Sequence, residues 1–572
     1  MEKIKKIKKF LKEENIQGYI IPKNDMFFNE YTDESEDRLK YISNFSGSFG
    51  FALILENKNF LFVDGRYTLQ ANNESSKYFQ IQTIPKQMPH NVLKRKKISV
   101  GFDPNLFTKK FFKIFFSKTK ISFIPINRNL IDKVWKRKKI DSKSNFYFLP
   151  SKAFNETSDA KLDKVLFNLK KNNADYQLIT SSENNAWLFN IRGKDTKYCP
   201  LPNCYSLVDR KRNIYFFCNL KKITKSFKKK FPKFNFINID SISKILSKIE
   251  DKKFIIDEST CSILLENNIL KKNIILLKTD PIYSLKSIKS KKEIQNIKKI
   301  HIYDGVALTK YLFWVKKNYK KKKITEISGE KKLLNFRKQF KEFKFSSFPT
   351  ISGVGPNGAI IHYRASDKSC RRLRKGEIYL IDSGGQYNFG TTDVTRTISL
   401  GGETKRIKNI FTRVLKGHLA VSNFRLSKKT NGSIIDRVAR KYLSQIKLDY
   451  AHGTGHGVGY FLNVHEGPQA ISKNNKVVFK VGMIVSNEPG YYEKNKFGIR
   501  IENLIYVKKI KRKIMFDDLT MAPIDKDLID LNILNLNEKK WLNSYHAKVF
   551  KNLKVYMKSK DLVDLEKACS AI

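Results

Sequence analysis

The sequence predicts a mixed α/β (α+β) fold in which two small α/β domains precede a larger, strand-rich domain and a short C-terminal segment. The chain has 572 residues, which is too long for one hydrophobic core, because single cores stop growing at roughly 250–300 residues. Helix and strand patterns occur in the same succession twice before residue 288, and glycine becomes frequent after residue 345. We therefore expect four segments: residues 1–148, 149–288, 289–510 and 511–572.

Each N-terminal segment is predicted to begin with a helix that leads into a strand. In the first helix the apolar residues recur at helical spacing: Ile4, Ile7, Phe10 and Leu11. The first segment should continue with strands at 18–21, 50–55 and 60–63 and a helix that opens at Asp64. The second should repeat the plan with a helix at 158–172 and strands at 176–180, 213–218 and 253–257. The two segments therefore read as two copies of one α/β design.

The rest of the chain has a different pattern, in which a long helix is followed by strands and then by another helix. Apolar spacing predicts a long helix over 288–317, strands dominate 345–507, and a helical pattern covers 538–550. Of the eight histidines, His362, His452, His456 and His465 lie within a span of about a hundred residues in the strand-rich part. Such clustering beside acidic motifs makes this part the candidate site.

The chain is strongly basic, with 112 Lys+Arg against 54 Asp+Glu and a net charge of +58. Lysines are spread along the whole sequence rather than gathered in one tail, as a biased genome composition would produce, so we expect no nucleic-acid partner. The six cysteines are sparse and irregularly spaced, which favours a reduced, cytoplasmic setting. We expect neither a secretory signal nor a membrane span, because no apolar stretch has the required length.

Two aspartates are predicted to face each other across a hairpin. Asp382 ends the apolar strand 378–381 beside two glycines, and the chain returns to a second strand that begins near Asp393. A hairpin of this size sets the end of one strand beside the start of the next. Two carboxylates at that distance repel each other unless a cation lies between them.

Two glutamates and a glycine-rich histidine motif complete the pattern. The segment 452–457 reads His-Gly-Thr-Gly-His-Gly, where glycine allows the backbone to approach a site closely. Glu488 ends another apolar strand before Pro-Gly, and Arg500 and Glu502 should share one face of a further strand. Four carboxylates and one imidazole form an oxygen-rich ligand set that suits a pair of Mn²⁺, Co²⁺ or Zn²⁺ ions. Spacing alone does not distinguish His452 from His456 as the imidazole ligand.

Taken together, these motifs resemble the pita-bread metallopeptidases, which include methionine aminopeptidase, prolidase and aminopeptidase P. The match to the long, three-domain cytosolic form of aminopeptidase P covers nearly the whole chain. It extends to these supporting stretches: Arg38–Gly50, Phe62–Ala71, Ala186–Gly193, Ala359–Tyr363 and Asp530–Tyr545. The resemblance implies two creatinase-like N-terminal domains, a pita-bread catalytic domain and a C-terminal segment that contributes to a homodimer.

The resemblance also implies a reaction and a role for each site residue. An enzyme of this type hydrolyses the N-terminal Xaa-Pro bond of a peptide with a hydroxide that bridges two divalent metal ions, most often Mn²⁺. The implied metal ligands are Asp382, Asp393, His456, Glu488 and Glu502. Glu488, His465 and His362 are implied as catalytic, and the implied substrate-binding residues are Arg38, His362, His452 and His465. Arg500 would support the ligands.

Two alternatives stay open at this point. Prolidase has the same metal site but acts on dipeptides, and it typically has one N-terminal domain where this chain has two. The second alternative is a catalytically inactive protein of the same fold that binds polyanions, which would explain the net charge of +58. Such a protein would have no chemical need for five metal ligands.

Overall fold

The computed structural model describes residues 2–94, 96–137 and 144–572. The chain divides into two compact units. The first comprises residues 1–150 and 156–283, and the second comprises 151–155 and 284–572. No helix in the described part of the chain is long and apolar enough to cross a membrane.

A six-stranded sheet forms the first part of the N-terminal unit. Its strands, in chain order, are β1 (Gly18–Pro22), β2 (Phe51–Leu55), β3 (Asn59–Asp64), β4 (Gln80–Ile84), β5 (Lys97–Phe102) and β6 (Lys120–Pro125). The accompanying helices are α1 (Glu2–Glu13), α2 (Arg38–Ser43), α3 (Thr68–Ser75), α4 (Pro89–Leu93), α5 (Lys109–Phe116) and α6 (Leu130–Val134). The sheet order is β4-β3-β2-β1-β5-β6. Ile4, Ile7 and Leu11 of α1 are buried, as their helical spacing predicts.

A second six-stranded sheet repeats this design. Its strands are β8 (Tyr176–Ile179), β10 (Cys204–Asp209), β11 (Ile214–Cys218), β12 (Phe234–Asn238), β13 (Lys253–Ile256) and β14 (Ile274–Leu277), while β7 (Tyr147–Phe148) and β9 (Ile191–Arg192) pair with each other in a separate two-stranded sheet. The helices are α7 (Ser158–Lys171), α8 (Ser182–Leu188), α9 (Lys225–Lys230), α10 (Ile242–Leu246) and α11 (Ile263–Leu270). The order β12-β11-β10-β8-β13-β14 matches that of the first sheet, and corresponding pairs agree in being parallel or antiparallel. The predicted duplication is therefore confirmed, although the helix expected at Asp64 begins at Thr68.

The second unit contains five helices of 12 or more residues, shorter helices, and four sheets. Helix α12 (Ile282–Ser287) spans the boundary between the units, because the first unit ends at residue 283. The helices that follow are α13 (Lys291–Asn318), α14 (Glu326–Arg337), α15 (Lys405–Ser422), α16 (Gly432–Ser444), α17 (Leu536–Leu553) and α18 (Lys560–Cys569). The strands are β15 (Phe343–Ser346), β16 (Ile351–Val354), β17 (Ile378–Ser383), β18 (Gly385–Tyr387), β19 (Gly390–Thr391), β20 (Val394–Ser399), β21 (Arg425–Leu426), β22 (Gly455–Gly457), β23 (Glu466–Ile471), β24 (Ile484–Asn487), β25 (Gly490–Glu493), β26 (Phe497–Arg500), β27 (Asn503–Ile510) and β28 (Lys513–Asp518).

These strands form one large sheet and three smaller ones. The large sheet has the order β21-β28-β27-β24-β22-β23, and the others are β16-β17-β20, β15-β18-β19 and β25-β26. Ile499 and Ile501 pack in a hydrophobic cluster with residues of α15 and α17. Because side chains alternate along an extended chain, Arg500 and Glu502 face the other way.

The two strands of the predicted aspartate hairpin are present, but the pairing of the aspartates and the path of the chain between the strands differ from the prediction. Strands β17 and β20 are antiparallel partners, but the residue opposite Asp382 is Thr395 rather than Asp393. Asp393 lies just before β20, at the diagonal position two residues away, which is still within side-chain reach. The intervening β18 and β19 leave this pair and join β15 in another sheet.

Candidate metal centre

Three of the predicted ligands converge on one point of the second unit. Ligand atoms of Asp393, His456 and Glu502 all lie within 4.8 Å of one another. Asp393 precedes β20, His456 is in β22, and Glu502 lies between β26 and β27. The three side chains therefore come from three different parts of the fold, and the carboxylates of Asp393 and Glu502 are buried.

Glu488 joins this group from the end of β24. Its Oε1 lies 3.5 Å from Nε2 of His456, which is itself 3.4 Å from Asp393 Oδ2. The Ser486 hydroxyl donates to Glu488 Oε1 at 3.1 Å and accepts a hydrogen bond from the His456 amide at 2.9 Å. A side-chain carbon on Gly455 would meet the Ser486 carbonyl oxygen at 1.9 Å. The glycine is therefore required for β22 to lie this close to β24.

The geometry distinguishes the two histidines of the glycine-rich motif. Nδ1 of His456 is 2.9 Å from the Gly457 carbonyl and donates to it, so Nε2 points at the Asp393 and Glu488 carboxylates, where its lone pair is available to a metal ion when the ring is neutral. In His452, Nδ1 contacts the Gly453 carbonyl and Nε2 forms a 2.9 Å hydrogen bond with the Tyr492 hydroxyl. His456 therefore has the orientation of a ligand, and His452 lies beside the group with Nδ1 at 3.9 Å from Glu488.

Asp382 is held at this centre by Arg500. The Arg500 Nη2 donates to Asp382 Oδ2 at 2.6 Å, while Asp382 Oδ1 is buried and has no hydrogen-bond partner among the residues that the structure describes. The Thr395 hydroxyl accepts from Arg500 Nε at 3.1 Å and donates to Glu502 Oε2 at 2.7 Å. The strand predicted to contain both Arg500 and Glu502 ends at Arg500, yet both side chains reach the same threonine.

The site concentrates negative charge away from water. Burial, together with the neighbouring Asp393 and Glu488, raises the pKa of Asp382 to about 7 although Arg500 opposes this. Burial and three neighbouring carboxylates raise the pKa of Glu502 well above its ordinary value. Burial lowers the pKa of His456, but Asp393 and Glu488 outweigh it and raise that pKa to about 9. Buried carboxylates that repel one another, and a buried Asp382 oxygen without a partner among the described residues, are features of a site that divalent cations would complete.

A buried arginine that the sequence analysis missed fixes the backbone around Glu502. Every nitrogen of the Arg396 guanidinium donates inside the fold. Its acceptors are the carbonyls of Thr395, Glu502, Ala522 and Pro523, the Asn503 side chain and the Tyr545 hydroxyl. The signal was the polar run Thr395–Thr397 inside a strand whose residues are all buried. Through Tyr545 the C-terminal helix α17 takes part in holding a candidate ligand.

The remaining predicted site residues lie at different places. The His465 ring centroid is 4.2 Å from that of His456 at an interplanar angle of 74°, so His465 borders the ligand group. His362 lies in the partly exposed loop that follows β16 and precedes Tyr363. Arg38 is in the N-terminal unit, where it is buried and donates to Asp132 and Glu36.

Comparisons with known sequence families give a consistent assignment for the whole chain. Residues 295–509 match the sequence model of metallopeptidase family M24. Residues 3–134 and 136–293 each match a creatinase/prolidase N-terminal domain. Residues 513–572 match the C-terminal region of peptidase M24.

Individual relatives extend over nearly the full length. A probable Xaa-Pro aminopeptidase P of Laccaria bicolor is 36% identical and covers 100% of this chain and 93% of its own. Xaa-Pro aminopeptidase 1 of Dictyostelium discoideum is 37% identical over 96% of this chain and 92% of its own. The crystal structure of X-prolyl aminopeptidase from Caenorhabditis elegans, described as a cytosolic enzyme with a di-nuclear active site, superposes with a TM-score of 0.93 at 28% identity, covering 100% of this chain and 99% of that one.

Proposed function

Because the chain belongs to metallopeptidase family M24, we propose that it is a dinuclear-metal aminopeptidase that hydrolyses the N-terminal Xaa-Pro bond of peptides. The observation that carries this function is the full-length similarity to Xaa-Pro aminopeptidases at 36–37% identity, which includes both N-terminal domains. The cluster of Asp393, His456 and Glu502 supports the metal-dependent part independently.

The proposed ligands of the two ions are Asp382, Asp393, His456, Glu488 and Glu502. Their chemistry fits divalent cations, because four buried or half-buried carboxylates need positive charge and the free Oδ1 of Asp382 needs a partner. We propose Mn²⁺ for both positions, since oxygen-rich sites suit Mn²⁺, with Co²⁺ or Zn²⁺ as substitutes. When bound, such a pair would acidify a shared water and polarise the scissile carbonyl.

Protein side chains would stabilise the oxyanion, transfer the proton and contact the peptide. His465, beside the ligand group, would donate a hydrogen bond to the oxyanion that forms on the carbonyl of the residue before proline. Glu488 would pass a proton to the departing proline nitrogen. His362 would contact the peptide, and His452, oriented by Tyr492, would border it. Arg500 would keep Asp382 ionised and in place.

The proposed role of Arg38 in substrate binding rests on resemblance. Its guanidinium already donates to both oxygens of Asp132 and to Glu36. With the Glu36 carbonyl, these acceptors use four of the five guanidinium N–H groups, so a peptide contact would use the second N–H of Nη2 or replace one of these bonds. An Arg38→Lys variant assayed for KM tests this role.

Prolidase activity is the second candidate, and it is less supported because the curated relatives that span this chain are aminopeptidases. Incubation of the Mn²⁺-loaded protein with Arg-Pro-Pro and with Gly-Pro separates the two functions. We expect cleavage of the tripeptide after arginine. Cleavage of Gly-Pro alone would favour prolidase. The absence of any cleavage with Mn²⁺, Co²⁺ or Zn²⁺, combined with a salt-sensitive nucleic-acid shift, would favour the polyanion-binding alternative.

We also propose a homodimer in the cytoplasm and retain the four-segment division at residues 148, 288 and 510. Large apolar side chains are exposed in the C-terminal segment, among them Leu536, Val555 and Val563, and such side chains are common in interfaces between subunits. Sedimentation of the full chain at several concentrations would test the dimer.

A further inference from the structure

The Glu326 carboxylate accepts an unusual number of hydrogen bonds for a residue outside the metal centre. Glu326 is the first residue of α14 and is completely buried. Its Oε1 accepts from the Val354 amide at 2.8 Å and from Asn357 Nδ2 at 3.1 Å. Its Oε2 accepts from the Arg371 amide, Asn357 Nδ2 and the Tyr363 hydroxyl at 2.8, 3.0 and 2.9 Å. None of these groups belongs to the proposed catalytic set.

The groups that Glu326 binds bracket the loop 355–363, which carries His362. Val354 is the residue before the loop, Asn357 lies inside it, and Tyr363 directly follows His362. The Tyr363 ring is buried and packs in one cluster with Leu380 of β17 and Tyr492. The carboxylate therefore ties both ends of the loop to the start of one helix.

The same loop lies directly against the hairpin β25–β26, which contributes Tyr492 and Arg500 to the metal centre. A side-chain carbon on Gly498 of β26 would meet the Gly358 carbonyl oxygen at 1.7 Å, so the two backbones touch without room for a side chain. A small displacement of the loop would consequently move His362 relative to the centre.

We propose that Glu326 is a positioning residue that sets the location of His362 against the bound peptide. The proposal rests on the proposed function, in which His362 contacts the substrate. It assigns to Glu326 no contact with substrate or metal. The carboxylate acts through the loop backbone and the Tyr363 hydroxyl.

The need for a carboxylate follows from the donors around it. The amides of Val354 and Arg371 approach opposite oxygens and can only donate. A glutamine has the same shape but would direct its NH₂ group towards one of these amides. One buried N–H would lose its acceptor, which is unfavourable. The loop would shift to relieve it.

The test is a double-mutant cycle with Glu326→Gln and His362→Ala, assayed on Arg-Pro-Pro with saturating Mn²⁺. We expect Glu326→Gln to lower kcat/KM about tenfold or more in the wild-type background and less than about twofold in the His362→Ala background. The Mn²⁺ affinity should stay within about twofold, because no proposed ligand lies on the loop. Additive effects of the two substitutions, or a parallel loss of Mn²⁺ affinity, would overturn the proposal.

Two further variants keep the test interpretable. Glu538→Gln removes a carboxylate that is equally buried near the start of another helix, α17, where it pairs with Lys416; it should lower stability without coupling to His362. Tyr363→Phe removes only the hydroxyl and should reproduce a smaller kcat/KM loss with the same coupling if Glu326→Gln does not fold. If the wild-type protein fails to cleave Arg-Pro-Pro, the proposed function fails. If it cleaves and the cycle is additive, only the role of Glu326 fails.

Discussion

Two clusters of buried or half-buried charged side chains, one in each compact unit, differ in how their charges balance. In the N-terminal unit, two arginines pair with two carboxylates: Arg38, Arg137, Glu36 and Asp132. In the second unit, four carboxylates meet one arginine and one histidine: Asp382, Asp393, Glu488, Glu502, Arg500 and His456. The first cluster neutralises itself, whereas the second has a surplus of negative charge.

The difference separates a structural cluster from a functional one. In a balanced cluster each buried charge has a partner of opposite sign, so no ion from solution is required. An unbalanced cluster costs stability: burial and the neighbouring carboxylates raise the pKa values of Asp382 and Glu502, and Asp393 and Glu488 raise that of His456. Cations that bind from solution restore the balance. The two clusters should therefore respond in opposite directions when a charge is removed.

The largest contrast is expected from replacing one aspartate in each cluster. Asp393→Asn should lower kcat/KM by about a thousandfold or more, since a lost metal ligand removes several kcal/mol of transition-state stabilisation. It should leave the metal-free protein equally or more stable, because Asp393 raises the pKa of both Asp382 and Glu502. Peptide hydrolysis and thermal unfolding with a chelator would measure these effects.

Asp132→Asn is the matched substitution in the balanced cluster. It should lower the free energy of unfolding by about 1–3 kcal/mol, because Arg38 would keep its buried charge without its bidentate partner. Mn²⁺ affinity should not change. If Asp393→Asn also destabilised the metal-free protein, the surplus of negative charge would not be the property that distinguishes the clusters.

Removal of the metal ions should be the next largest effect and should act on the second unit alone. At a free Mn²⁺ concentration of 100 times Kd, one site stabilises the folded state by about 2.7 kcal/mol. Chelation should therefore lower the unfolding temperature and speed amide hydrogen exchange in β20, β22 and β24, which lie next to the ligands. The strands β1–β6 should exchange as before, and faster exchange in both units would contradict the assignment.

As pH rises, the stability of the metal-free protein should fall, whereas its affinity for metal should increase. The pKa of Asp382, about 7, lies above its ordinary 3.8, and that of His456, about 9, lies above 6.5. The stability that their protonated forms contribute is fully present below the unfolded pKa values and is lost as pH rises through 7 and then 9. The metal-free protein should thus become less stable from pH 5 to 9.

Metal affinity should rise over the same interval, by about tenfold per pH unit for each proton released. Calorimetric titration with Mn²⁺ in buffers of different ionisation enthalpy would count about one or more protons released at pH 8. An affinity that does not depend on pH would mean that the carboxylates are ionised without metal.

The sequence was informative wherever a local pattern determines the structure. Asp382 and Glu488 end apolar strands, and strand periodicity places Arg500 and Glu502 on one side, so these residues could be predicted from the chain itself. In both His452 and His456 Nδ1 contacts the carbonyl of the next residue, and the two differ in what Nε2 faces: the Tyr492 hydroxyl for His452, and the Asp393 and Glu488 carboxylates for His456. No spacing rule contains that information. Five of the six acceptors around Arg396 come from distant parts of the chain, so its role becomes visible only in three dimensions.

The smallest predicted effect concerns Arg38, where resemblance and structure give different expectations. Arg38→Lys keeps the charge but replaces a planar group that binds both Asp132 oxygens by a single ammonium. We expect a loss of about 1 kcal/mol in stability and a change in KM for Arg-Pro-Pro of less than about threefold. Arg137→Lys is the control, because Arg137 pairs with the same Glu36 and Asp132. Similar behaviour of the two variants would make the cluster structural. A rise in KM of about tenfold in Arg38→Lys alone would show that Arg38 leaves its partners to bind the peptide.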